Sequence, residues 1–176
     1  YRWGAQVPVV IRAPIGGGVG AGPFHSQCPE AWFTSVAGLK VVAPATVEDA
    51  KALLLDALAD PNPVLVFEHK QLYRSLKGMV PEGYYSAPLG KARVLREGED
   101  ATIISWSATV HDALRLAAEL EEDGVSIEVV DLRTLVPWDV ETVLASVRKT
   151  SRALVVHEAS LTGGFGGEVA ARIAQD

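Results

Sequence analysis

The sequence is poor in cysteine and in positive charge, and it holds no long apolar run. Cys28 is the only cysteine among 176 residues. A single thiol excludes an internal disulfide; no cysteine-based metal site is expected from it, and it fits a reducing compartment. No run approaches the roughly 20 apolar residues that span a bilayer, which excludes a membrane-spanning role. Lys and Arg total 16 against 22 Asp and Glu, a net charge of −6. That balance argues against a nucleic-acid partner, for which a basic patch is expected. An initiator methionine is also missing. The chain opens at Tyr1 and stops at Asp176 inside a helical pattern with no Gly or Pro stop. The expectation is an internal fragment of a longer chain, whose hidden start would also conceal any targeting signal.

What is present is globular. Hydrophobic residues make up 48% and charged residues 22%, enough apolar surface to exclude disorder as the main state. The length admits one large domain or two small ones. Residues 7–11 form a β-branched run that reads as a buried strand, followed by a loop over 13–23 with glycines at 16, 17, 18, 20 and 22. A short helix begins near Pro29 and Glu30, before Gly38. Strands follow at 40–43 and 64–68. Between them Thr46 caps a helix with Glu48 and Asp49 in its first turn, running to about Ala59.

Residues 69–88 are polar and broken by Gly78, Pro81, Gly83 and Pro88, and read as a linker. A second set then repeats the alternation. Strands are expected at 91–96, 101–106, 127–131 and 153–157. An amphipathic helix is expected at 109–123, with Val110, Leu114, Ala117, Ala118 and Leu120 on its apolar side. Another helix is capped by Asp139, and a last one opens at Gly166 or Gly167. This predicts an α/β chain of two tandem parallel-sheet units.

The motifs narrow the chemistry. Residues 16–21, GGGVGA, fit a dinucleotide fingerprint. Pro23 follows them, however, and the helix and the acidic ribose partner that the fingerprint requires are missing. A mobile loop at the carboxyl end of a strand, where α/β sheets bind ligands, is the better reading. The run 163–167 precedes a helix and could hold an anion on its N–H groups. Glu168 opposes that, and tight packing is favoured. None of His25, His69, His111 and His157 has metal-ligand spacing. His111 reads as a surface residue and His157 as a satisfied structural one. His25 follows the glycine loop and precedes a helix start, so it can stand in a cleft and exchange a proton near neutrality. An ordinary loop or cap histidine is the alternative.

The strings His25-Ser26-Gln27-Cys28-Pro29-Glu30-Ala31-Trp32, Gly38-Leu39-Lys40-Val41-Val42 and Asp60-Pro61-Asn62-Pro63 carry a family resemblance. It continues through residues 68–74 (EHKQLYR), 131–139 (DLRTLVPWD) and 157–165 (HEASLTGGF). The chain resembles the β subunit of thiamine-diphosphate-dependent 2-oxo acid dehydrogenases, the E1 component, and is most similar to the branched-chain (2-oxoisovalerate) type. The pyruvate and acetoin enzymes are the alternatives. The resemblance implies the rear part of a transketolase-like pyrimidine-binding domain at 1–80 and a linker at 81–88. A transketolase C-terminal-like domain lacking its last segment would fill 89–176.

By the same resemblance His25 is the catalytic histidine, serving proton transfer as an acyl group meets a lipoyl sulfur. Phe24 is a substrate-pocket neighbour. Ala57, through its carbonyl, together with Asp60 and Asn62, matches a structural potassium loop. An ordinary turn is the competing reading there, and Val10 falls at a further ligand position. The resemblance implies thiamine diphosphate with Mg2+, held mostly by an α subunit and by residues before Tyr1; no G-D-G motif occurs here. No cofactor-binding residue is therefore expected in this chain, which alone should be inactive. Implied partners are the E1 α subunit and a second β subunit in an α2β2 heterotetramer, the lipoyl and peripheral binding domains of E2, and a small 2-oxo acid. The implied setting is branched-chain amino acid catabolism in a bacterial cytoplasm or a mitochondrial matrix. A non-catalytic role in docking E2 is a second reading. A flavodoxin-like nucleotide protein is a third, disfavoured by the glycine spacing.

Overall fold

A computed structural model describes residue 4 and residues 6–176. The elements follow one another as β1 (Val10–Ile15), α1 (Glu30–Thr34), β2 (Lys40–Val42), α2 (Val47–Ala59), β3 (Val64–His69) and α3 (Leu72–Ser75). After a connection come β4 (Arg93–Arg96), β5 (Ala101–Ser105), α4 (Thr109–Glu122), β6 (Ile127–Asp131), β7 (Thr134–Val136), α5 (Val140–Thr150), β8 (Ala153–Val155) and α6 (Phe165–Gln175). They build two sheets, ordered β1-β3-β2-β7 and β4-β6-β5-β8. In each, three strands run parallel and one edge strand, β7 or β4, is antiparallel. The α/β class and the two parallel units read from the alternation are what the chain adopts.

Local chemistry explains most of the boundaries. The Thr46 hydroxyl accepts the Asp49 N–H and starts α2; the Asp139 carboxylate does the same for α5 through Thr142 N–H. β3 lies between two parallel neighbours, which is why Val64, Leu65, Val66 and Phe67 are all buried with no polar alternation.

Several expectations are corrected. The first strand is Val10–Ile15, not 7–11, and Val7 and Val9 are exposed. Its register is set by β3, from Val10 opposite Val64 to Ile15 opposite His69. As an edge strand it tolerates Pro14, which the sequence placed in the loop. On α4, Ala113 is buried and Ala118 is exposed. β8 stops at Val155, leaving His157 beyond it, and α6 starts at Phe165 behind Gly164. β7 was not expected at all, since three residues are too few to show periodicity.

β7 has the largest consequence. It belongs by sequence to the second unit but pairs with β2 of the first, Val41 opposite Val136 and Val42 opposite Thr134. The polar stretch read as a linker is likewise packed down. It carries α3, and its later part lies against α2: Tyr84 and Ser86 both donate to the Asp56 carboxylate, and Tyr85 donates to the Glu48 carbonyl. One apolar cluster therefore takes in Ile15, Val41, Leu65 and Phe67 from one sheet with Ile104, Trp106, Val130 and Phe165 from the other unit.

At this seam Arg133 is almost fully buried. Its guanidinium donates to Asp49 (3.0 Å) and to the Lys91 carbonyl (3.0 Å), and its own carbonyl accepts the Ala43 N–H (2.8 Å). Asp131 beside it is fully buried, with Oδ1 accepting the Arg133 N–H. Burial, helped by the charge of Asp49 and opposed by Arg133 and Arg93, pushes the Asp131 carboxyl from 3.8 up to about 7.

Between those two values the folded chain holds a proton that the unfolded chain has released, so stability falls as pH rises through the window. Asp131→Asn keeps the acceptor and removes the charge. Its urea midpoint is expected to drop less between about pH 5 and about pH 7.5 than that of the unsubstituted chain, and an equal or larger drop would refute the assignment.

Candidate active site

β1 delivers the chain into the glycine loop, which closes as a turn over residues 22–25. The Ser26 hydroxyl donates to the Gly22 carbonyl at 2.7 Å, and Gly16 N–H donates to the Gln27 carbonyl at 3.0 Å. These bonds pin both ends of the loop and hold Phe24 and His25 outward. Both are exposed, Phe24 by 80%, and their rings meet edge to face with centroids 5.2 Å apart. They stand on the wall of an open groove of about 750 Å³, where Ala13, Trp32, Phe33 and Phe67 supply apolar surface. Gln27 and Lys70 are the other polar groups on that wall. An imidazole on an open, largely apolar groove can give or take a proton on a group that enters from outside.

The turn expected from the resemblance to hold potassium sits at the C-terminal end of α2. Asp60 N–H donates to the Ala57 carbonyl at 3.3 Å. Asp60 Oδ1 accepts both the backbone and the side-chain N–H of Asn62 at 2.9 Å, while Oδ2 takes the Lys40 ammonium. Burial alone would raise the Asp60 carboxyl; Lys40 and Asn62 together hold it below the usual carboxylate range. Ala57, Asp60 and Asn62 are thus brought to one turn, with Lys40 already providing a positive charge there.

The 163–167 run does not offer the open anion cradle that its glycines could have made. The 163–167 run is closed: a Cβ at Gly164 would lie 2.7 Å from the His157 ring and one at Gly166 2.5 Å from it. Glu168 adds a negative charge in the first turn of α6.

Two histidines differ from their reading. His111 is half-buried and donates through Nε2 to the Ala45 carbonyl at 2.7 Å, tying α4 to the turn after β2. His157 stacks on Trp106, centroids 5.0 Å apart, and its Nδ1 is buried without a partner. It is structural but not satisfied.

Sequence spacing missed a third cluster. His69 closes β3 and Glu158 follows β8, 89 positions later, yet His69 Nε2 donates to Glu158 Oε2 at 2.5 Å. Glu158 Oε1 accepts Gly17 N–H at 2.7 Å. Cys28 completes the group: its sulfur and one donor atom from each of the other two all lie within 4.8 Å of one another. Burial, with the charges of Glu30 and Glu158, pushes the Cys28 thiol up to about 12. Burial would raise Glu158 too, but His69 and Gly17 hold it below its ordinary value. No histidine has ligand spacing along the chain, yet the fold brings His69 next to Cys28 and Glu158 in space. The only signal was position, since His69 and Glu158 both lie at or just beyond the carboxyl ends of parallel strands.

The chain matches the transketolase pyrimidine-binding domain over residues 1–75 and the transketolase C-terminal domain over residues 90–176. It is 48% identical to the mitochondrial 2-oxoisovalerate dehydrogenase subunit beta 2 of Arabidopsis thaliana, across 99% of this chain and 50% of that protein. It is 49% identical to the pyruvate dehydrogenase E1 component subunit beta of Bacillus subtilis, across 98% of this chain and 54% of that protein. Among solved structures it is similar to a split gene transketolase, an inactive beta4 tetramer. That likeness has a TM-score of 0.81 at 28% identity, over 97% of this chain and 55% of the other. The chain spans about half the length of the curated relatives it matches. Among the described residues no helix is long and apolar enough to cross a membrane.

Gly16 is the hinge of this arrangement, with φ +84° and space for a Cβ only 1.9 Å from His69 Nε2. Gly16→Ala is expected to cost on the order of 2–4 kcal/mol, adding left-handed strain to overpacking. Gly20→Ala, with φ +70° but open surroundings, should cost only the strain, about 1–2 kcal/mol. Urea unfolding of both variants checks the difference, and equal losses would contradict the packing argument.

Proposed function

Because the chain belongs to the transketolase family, with its pyrimidine-binding domain at residues 1–75 and its C-terminal domain at 90–176, we propose that it is the β-subunit portion of a 2-oxo acid dehydrogenase E1 component acting on branched-chain 2-oxo acids. The observation that carries the reading is His25, held out by a bonded turn on the wall of an apolar groove. Relatives named for 2-oxoisovalerate and pyruvate dehydrogenase β subunits support it.

In this reading His25 hands a proton to the sulfur released when the lipoyl disulfide of E2 opens, and hydrogen-bonds the substrate carboxylate. Phe24 and the apolar wall, Trp32 and Phe33 among it, take the aliphatic side chain of the 2-oxo acid and exclude water from it. Thiamine diphosphate with Mg2+ supplies the decarboxylating chemistry when bound. We assign its anchoring to the α subunit of an α2β2 assembly and to β-subunit residues outside this chain. The lipoyl and peripheral binding domains of E2 are the macromolecular partners, and the boundary between the two domains is placed at 81–88. The compartment follows the source, a bacterial cytoplasm or a mitochondrial matrix. We place potassium at the Ala57–Asp60–Asn62 turn, where carbonyl and carboxylate oxygens suit a hard cation.

The test restores the complete β subunit with its α partner and compares His25→Ala with the unsubstituted assembly. Reductive acylation of lipoamide is expected to fall about 100-fold or more, within the range for loss of a general acid–base group, with E2 binding retained. Unchanged acylation would overturn the assignment of His25. Activity on 3-methyl-2-oxobutanoate above that on pyruvate is expected, and the reverse order would move the proposal to the pyruvate enzyme.

For the cation, replacing K+ by Na+ should lower the unfolding temperature of the unsubstituted assembly and leave that of Asp60→Ala unmoved. No difference between the two salts would remove potassium from this turn.

A further inference from the structure

Cys28, His69 and Glu158 converge on a small cavity between the two units, about 10 Å³ in volume and walled also by Glu30, Trp106, Ser107 and Thr109. That volume holds one water or a bare ion and nothing larger. Its polar lining is incomplete. Glu30 is 2% exposed and spends Oε1 on the Trp106 indole N–H at 3.2 Å, but its Oε2 has no partner. Ser107, also buried, leaves its hydroxyl unpartnered in the same wall. Glu30 is thus a buried carboxylate with no lysine or arginine beside it among the described residues, while Glu158, 36% exposed, has His69 and the Gly17 N–H as its partners. A buried carboxylate such as Glu30 is unfavourable unless a cation balances it.

We propose that this cavity is a divalent metal site of the zinc class, with Cys28 Sγ, His69 Nε2 and one Glu158 oxygen as ligands. Sulfur, imidazole nitrogen and carboxylate oxygen together are a donor set that zinc accepts and that hard cations such as Mg2+ do not favour. The three ligand atoms already lie within 4.8 Å of one another, so side-chain adjustment of about an ångström brings them around one ion. Glu30 Oε2 and the Ser107 hydroxyl, both unpartnered on the same wall, are the oxygens left to complete the coordination.

Gln71 N–H points at His69 Nδ1 at 3.3 Å, so Nε2 carries the ring proton in the metal-free chain. On binding, that proton moves to Nδ1 and the long Gln71 contact is given up. The His69–Glu158 hydrogen bond is exchanged for two metal bonds, and the Cys28 thiol releases its proton to solvent. One proton leaves per ion, and nothing is oxidised or reduced. Cys28 and His69 come from the first unit and Glu158 from the second, so the ion would cross-link the two.

The experiment titrates the metal-free protein, stripped with a chelator, with Co2+ as a spectroscopic substitute for Zn2+. Expected are one equivalent of Co2+ per chain, an intense thiolate-to-cobalt band in the near ultraviolet, and affinity that rises about tenfold per pH unit as the single proton is released. Cys28→Ser should abolish the band, and His69→Gln should weaken binding at least about 10-fold. A thermal-shift comparison of the unsubstituted protein with and without Zn2+ does not depend on how well the variants fold, and a rise in unfolding temperature is expected. Failure to saturate with Co2+, an identical band in Cys28→Ser, or an unfolding temperature that ignores Zn2+ would each overturn the proposal. None of these readings uses the dehydrogenase activity, so the metal site and the proposed function stand or fall separately.

Discussion

The Arg133 guanidinium is the point at which the two sheets are made into one body. It is buried between them and has three kinds of partner: the Asp49 carboxylate on α2, the Lys91 carbonyl of the connection, and, through its own carbonyl, the Ala43 N–H beyond β2. A buried cation is tolerated only with such complete pairing, and removing one partner of a buried pair typically costs about 3–5 kcal/mol. Arg133 has φ +56°, at the turn between β6 and β7. Its backbone therefore redirects the chain from the second sheet to the first while its side chain holds the first in place. The position of β7, the shared apolar core and the closeness of Glu158 to His69 all depend on that redirection.

The groove and the cluster at the seam have opposite physical characters. His25 stands at an open, mostly apolar wall on the first unit alone. Cys28, His69 and Glu158 line a narrow polar pocket at the meeting of the units, with Glu158 at its exposed side. Gly16 and Gly17 link them: one loop fixes the base of the His25 turn through Gln27 and also donates to Glu158. Positioning of the exposed imidazole is therefore coupled, through a few backbone bonds, to the packing between the units.

The sequence made the alternation of strands and helices legible, because Thr46 and Asp139 are strong caps and the run 64–69 is a strong buried strand. The exposed position of His25 on a groove was legible too, since the glycine loop and the helix start bracket it. What could not be read has specific causes. β7 is too short for a period. The first strand shifted because its register is dictated by β3 rather than by its own valines. His111 read as a surface residue because its acceptor, the Ala45 carbonyl, is a backbone atom 66 positions away. The Cys28–His69–Glu158 cluster was hidden for the same reason, as its members come from three separate segments and no spacing rule spans them.

Strand β7 also bears on how the chain can be divided. A cut in the connection before β4 would separate the sequence into two plausible α/β pieces, but β7 would go with the wrong one. The first piece would then present β2 as a bare edge, with unmet N–H and C=O groups beside the apolar Val41 and Val42. Such an edge recruits whatever strand is available, including one from another copy. The two halves share a seam of hydrogen bonds that belongs to neither alone, so dissection of this chain into its parts invites aggregation rather than autonomous modules.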